Sequence, residues 1–215
     1  MAALKDKYIR KTRLEGSNLP SGYRLLGKYH PISPKIFGIS IVIWLIATWL
    51  CSVIINVIRP EFNSHGFVIH LVDSLSEYSY RLKVIGFGLL AALVTGFLHE
   101  PTHGLFHWVF IKKWPKFGIK WKTLTPYAAV FPGFYYSRNK ACLTALSPIV
   151  VVSFIGIVSW YMLPLSAIPV AILVISINLG SCISDLLQTR WILSFKSNTL
   201  YGFDSSQSVI YGPSD

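Results

Sequence analysis

Four apolar runs fix what this chain can fold into. Residues 36–58 carry no charged side chain, 84–111 carry only Glu100, 141–163 carry none, and 165–193 are interrupted by Asp185 and Arg190 alone. A helix needs roughly 20 apolar residues to cross a bilayer, and each run is long enough. Only 13% of the residues are charged, against about 25% in an ordinary soluble domain. The expected fold class is therefore an all-α, multi-pass integral membrane protein with about four transmembrane helices.

The net charge of +11 would suit a nucleic-acid binder, but its placement argues otherwise. Eight Lys and Arg precede the first run, three lie between runs one and two, seven between two and three, none between three and four, and two from Arg190 onward. Seventeen of the twenty thus fall in segments that would share one side of a membrane. That is the positive-inside pattern for four spans with both termini cytoplasmic. Attraction to anionic lipid accommodates the excess, so membrane lipids are expected partners and no nucleic acid is required. The cell membrane is the expected location.

The connecting segments are read as follows. Residues 1–35 form a basic cytoplasmic segment, too long to precede the apolar core of a cleaved signal peptide. Residues 59–83 form an outer loop, with 71–81 expected as a short interfacial helix and His65 and His70 as weak candidates for a second metal site. Residues 112–140 are basic and aromatic. Residues 119–123 alternate apolar and polar as a strand does, and Pro132-Gly133 reads as a turn. A short β-hairpin therefore fits between helices two and three, where a free edge could hold an extended peptide by strand addition. The competing reading is an interfacial loop anchored by Trp and Lys. Residues 194–215 read as a cytoplasmic tail. Cys51, Cys142 and Cys182 are odd in number and lack C-x-x-C spacing, which fits small packing residues rather than a disulfide or thiolate site.

The second run contains His99-Glu100-Pro101-Thr102-His103, an H-E-x-x-H pattern. On a helix, His99 and His103 lie on one face and can offer two imidazoles to one zinc ion. Glu100 beside them can take a proton from water at the metal. His103 lies eight residues from the inner end of the run at Ile111, about 12 Å of helix. The motif thus sits inside the hydrocarbon, nearer the cytoplasm, and a carboxylate at that depth calls for a role. Pro101 removes an amide donor and clashes with the carbonyl of Phe97, costing about 3 kcal/mol if unrelieved. The helix is expected either to kink there, with Gly96 helping, or to start near His99.

A catalytic zinc site usually has three protein ligands and one open position. His107 continues the histidine face, but it is eight residues from His99. That is about 12 Å along the axis, too far for one ion. His107 is expected to support the site or to lie at the interface. Asp185 fits better. It is the one acid besides Glu100 within the four runs, and it lies eight residues before Leu193 on a span parallel to span two. The two sites therefore fall at the same depth. Gly180 and Ser181 permit close helix approach. The competing reading is an interfacial Asp paired with Arg190 or a lysine.

With His99-Glu100-Pro101-Thr102-His103-Gly104, Ala145-Leu146-Ser147-Pro148 and Asp185, the chain resembles a family of small membrane proteins classed as zincin peptidases. More distantly it is similar to the site-2 intramembrane metalloproteases. The resemblance runs from about residue 84 to the C-terminus. It implies zinc held by His99, His103 and Asp185, with Glu100 as catalytic base. Leu186 stands where the site-2 proteases typically carry Gly, and no Pro lies between Asn178 and Asp185, so substrate handling is expected to differ.

The function expected is a membrane-embedded zinc metallopeptidase acting on a membrane-associated peptide or protein. The alternative is a non-proteolytic zinc-binding membrane protein, either a regulator or a hydrolase of a lipid-like substrate. A haem bundle would want histidines on two spans, whereas every span histidine lies on the second. The expected domains are the basic segment 1–35, a metalloprotease-like transmembrane domain 36–193, and the tail 194–215.

Overall fold

Backbone groups that leave water must bond to one another, and the apolar runs meet that demand as helices. In this computed structural model, residues 19, 21–29, 34–62, 78–112, 114–120, 125–129, 134–204 and 207–214 are described. The described chain runs β1 (Tyr23–Tyr29), α1 (Pro34–Ile58), α2 (Tyr78–Ile111), β2 (Lys116–Lys120), β3 (Thr125–Ala129) and β4 (Tyr135–Ser137), then α3 (Arg138–Met162). A single 3₁₀ turn at Leu165–Ala167 leads into α4 (Ile168–Ser181) and α5 (Ile183–Leu193), followed by β5 (Leu200–Asp204) and β6 (Gln207–Pro213). Four helical stretches are long and apolar enough to cross a membrane: Lys35–Ile58, Ile85–Ile111, Arg138–Met162 and Leu165–Leu193. They reproduce the four apolar runs closely.

Contacts divide the chain into two compact units, each taken by itself. The first comprises Ile32–His103 and Leu146–Leu187. One core cluster gathers Cys51, Ile55, Trp160, Ile168, Ile172 and Ile175, and another centres on Ala91, Val152 and Val174. Helix α1 packs along α4. At Gly180 a Cβ would lie 2.9 Å from the Ser40 carbonyl oxygen and 3.1 Å from Trp44 Cβ, so the missing side chain is what lets the two backbones approach. Arg59 ties the end of α1 to the end of α3. Its Nη1 donates to the Trp160 and Leu163 carbonyls, both at 3.0 Å, which a helix C-terminus otherwise leaves without partners. Its Nε donates to Glu61 at 2.6 Å, and this hydrogen bond holds the Glu61 carboxyl below its ordinary value.

Two details of the spans differ from expectation. Helix α2 passes through Pro101 without ending, so it does not start near His99. The last apolar run is two helices, α4 and α5, meeting at Cys182. There the Cys182 amide donates to Asn178 O and the Leu186 amide to Cys182 O, both at 2.9 Å, so the helical path is nearly preserved across the break.

The second unit comprises Met1–Pro31, Gly104–Ala145 and Gln188–Asp215. Here the all-α expectation is corrected. A four-stranded antiparallel sheet of order β1-β6-β5-β4 joins residues from both ends of the sequence. Tyr23 pairs with Pro213 and Tyr29 with Ser208, across a bulge between Leu25 and Gly27. Residues 194–215, read as a tail, thus supply two of its strands. The sheet covers a core of Tyr136, Ala141, Cys142, Ile192, Tyr201 and Ile210, with Trp191 and Phe195 against it. Gly27 leaves room for those two rings, which a Cβ would approach to 3.2–3.3 Å.

The hairpin expected between helices two and three is present. β2 and β3 pair antiparallel, with Lys116 opposite Ala129. Lys120 stands opposite Thr125 at the other end of the pairing; residues 121–124 and the expected turn at Pro132-Gly133 lie outside the described residues. Helix α2 ends at Lys112, whose φ of 60° is the left-handed conformation that commonly terminates helices. The Phe117 ring of β2 packs over Gly104, where a Cβ would come within 2.5 Å of it. The expected interfacial helix 71–81 lies mostly outside the described residues, as do His65 and His70.

Candidate metal centre

Two turns of α2 and the junction of α4 with α5 build the centre, and all its residues belong to the first unit. The four-residue spacing in α2 brings the His99 and His103 rings to 4.9 Å between centroids, edge to face. Asp185, in the first turn of α5, reaches both. Its Oδ2 lies 3.3 Å from His99 Nε2 and its Oδ1 3.7 Å from His103 Nε2. One donor atom from each of the three residues falls within 4.8 Å of the others. Asp185 therefore faces the two histidines.

The cluster fits a zinc ion on three counts. A tetrahedral site with bonds near 2.1 Å spaces its donors about 3.4 Å apart, close to the 3.3 and 3.7 Å that separate each imidazole Nε2 from one Asp185 oxygen. The donor set, two imidazoles and one carboxylate, is the chemistry of a catalytic zinc site with a fourth position open. Finally, Asp185 Oδ2 is buried and accepts no hydrogen bond. A buried carboxylate oxygen without a partner is costly, and a cation between it and the imidazoles would remove that cost.

The surroundings hold His99 firmly. It is only 7% exposed. Its Nδ1 lies 2.9 Å from Asn178 Oδ1, 3.3 Å from Ser181 Oγ and 4.0 Å from Cys182 Sγ. Asn178 in turn donates from Nδ2 to the carbonyl of Pro148 in α3, at 3.1 Å. These contacts were not anticipated from sequence. The signal was present in one respect: Asn178 precedes Asp185 by seven residues, two helical turns, and so shares its face. Glu100, the expected base, follows His99 in α2 and is half-buried.

His107 is not part of this group. It lies in the second unit, 4% exposed, with Nδ1 3.1 Å from the Tyr136 hydroxyl and its ring edge-on to Tyr136 and Phe203. Burial pushes the Tyr136 hydroxyl well above its ordinary value, so it remains neutral. Behind it, the Tyr201 hydroxyl donates to Ser208 at 2.8 Å, and Gln188 donates to Tyr201 and Ser208. His107 is thus a supporting residue of the sheet unit.

Neither curated proteins nor solved structures gave a match. One family model, described as "Putative zincin peptidase", matches residues 92–200. That match takes in the histidine pair, Glu100, Pro148, Asn178 and Asp185, and it covers half of the chain. Zincins are zinc metallopeptidases built on an H-E-x-x-H helix, which is the pattern His99–His103 displays in α2. The chain belongs to this zincin peptidase family.

Proposed function

We propose that this protein is a membrane-embedded zinc metallopeptidase that hydrolyses a peptide bond in or near the bilayer. The observation that carries the proposal is the convergence of His99, His103 and Asp185 donor atoms within 4.8 Å on helices apolar enough to span a membrane. His99, His103 and Asp185 hold the metal. Zinc, when bound, supplies a Lewis acid for the scissile carbonyl and for the attacking water. The Glu100 carboxylate accepts the proton of that water and returns it to the leaving amine. The burial of His99 and Asp185 limits water around the reacting groups, which strengthens each electrostatic contact there. Both termini face the cytoplasm, as the charge distribution favours, and the substrate is a membrane-associated peptide or protein.

Zinc content per chain tests the centre. Wild type and His107→Ala should hold about one zinc, and His103→Ala and Asp185→Ala should lose it. Full zinc in Asp185→Ala would remove that residue from the ligand set. The role of Glu100 is tested separately. Glu100→Gln should retain zinc and lose turnover by at least about a hundredfold, the scale of general acid–base contributions. Undiminished cleavage of membrane peptides by a folded Glu100→Gln protein would refute the assignment.

A further inference from the structure

We propose that Asn178 is a positioning residue that keeps a proton on His99 Nδ1, so that Nε2, on the side where Asp185 stands, is the nitrogen offered to a metal. The proposal rests on the metal-site reading for its purpose, but its geometry is independent of any ion. A neutral imidazole carries its proton on one of two nitrogens, and only the other can bind a metal. Which nitrogen is protonated follows from what each one faces.

Asn178 is fully buried and its amide has only one workable orientation. One end lies 3.1 Å from the Pro148 carbonyl oxygen. A carbonyl only accepts hydrogen bonds, so that end is the NH2 group. The oxygen end then points at His99 Nδ1, 2.9 Å away. An amide oxygen also only accepts, so Nδ1 must donate and must carry the proton. A second neighbour leads to the same answer. The single hydroxyl hydrogen of Ser181 goes to the Asn178 carbonyl at 2.8 Å. Towards Nδ1, 3.3 Å away, Ser181 therefore presents a lone pair. Asn178 Oδ1 thus keeps a proton on Nδ1, and Nε2, 3.3 Å from Asp185 Oδ2, is the nitrogen left for a metal.

The anchor of this relay is backbone. Pro148 sits inside α3, and its carbonyl is held by the helix rather than by a rotatable side chain. Span three thus sets the Asn178 amide on α4, and the amide sets the imidazole on α2. Outer hydrogen bonds of this kind, to the non-ligating nitrogen of a histidine, typically change metal affinity 10–100-fold when removed. Asn178→Leu keeps size and removes both hydrogen bonds. It is expected to weaken zinc binding by that factor, without eliminating it, because all three ligands remain.

The test reads the tautomer directly. Histidine-¹⁵N-labelled, metal-free protein is prepared in lipid nanodiscs, with the His99 signals assigned by their loss in His99→Gln. Wild type should show a protonated Nδ1. Asn178→Leu should show a shift towards the Nε2-protonated form, and Ser181→Ala, which keeps the amide, should not. Zinc affinity is measured on the same samples. A bare Nδ1 in wild type, or an unchanged Nδ1 in folded Asn178→Leu, would overturn the proposal. Should Asn178→Leu not fold, the wild-type tautomer still decides. A locked Nδ1–H tautomer in a wild-type protein that takes up no zinc would leave the lock standing and sink the metal reading instead.

Discussion

At the scale of single residues, the centre separates groups that would bind from groups that orient, and substitution should tell them apart. Tyr136→Phe removes the hydroxyl that faces His107 Nδ1 and leaves a buried imidazole nitrogen with one partner fewer. A loss of about 1–2 kcal/mol is expected, read by thermal or denaturant unfolding, with zinc content unchanged because His107 lies outside the ligand group. His99, His103 and Asp185 were legible in the sequence because each is a strongly polar residue in an otherwise apolar run, and because counting residues from the inner end of two parallel spans matched their depths. Asn178 was not. A lone Asn in an apolar helix is compatible with many partners, and its role depends on the Pro148 carbonyl, thirty residues away in sequence. The unsatisfied Asp185 oxygen is equally invisible without coordinates.

At the scale of elements, the spans were readable and their joins were not. Runs of twenty or more apolar residues announce helices by length alone, so four appeared where expected. The break at Cys182 leaves little trace, since the amides on either side keep helical partners. The sheet was missed for a different reason. β1 pairs with β6, Tyr29 opposite Ser208, and such distant partners leave no local signature of register. Close helix contact at Gly180 gives a direct prediction. Gly180→Ala places a methyl 2.9 Å from the Ser40 carbonyl oxygen, which is fixed in α1 and cannot swing aside. Overpacking of this kind costs about 1–3 kcal/mol, and unfolding of the variant in detergent should show it. An unchanged midpoint would mean that α1 shifts freely along α4.

At the scale of the whole molecule, the helical unit exposes large apolar side chains, as helices apolar enough to cross a membrane would. Val57, Phe97 and Met162 are 78%, 77% and 80% exposed, and side chains of this size lose about 1.5–3 kcal/mol each when left in water rather than buried. Reporter fusions that distinguish the two sides of a membrane should place both termini in the cytoplasm, as the seventeen-to-three distribution of basic residues favours. Opposite signals from the two ends would require an odd number of spans. Metal binding should also be felt globally. A ligand at a hundred times its dissociation constant stabilises the folded state by about 2.7 kcal/mol. A chelator should therefore lower the unfolding temperature of wild type and leave His103→Ala unmoved. The sheet sewn from strands near both ends of the sequence has a bearing on biosynthesis. β1 is synthesised before the first apolar helix and β6 after the last, so β1 must wait, unpaired, while all four helical stretches are made. Domains otherwise tend to fold from the N-terminal side as they emerge. A chain stopped after Asn198 would never provide the partner strand. Such a product would expose the Trp191 and Phe195 rings that the sheet covers, and quality-control proteases would be expected to clear it even though His99, His103 and Asp185 had already been made.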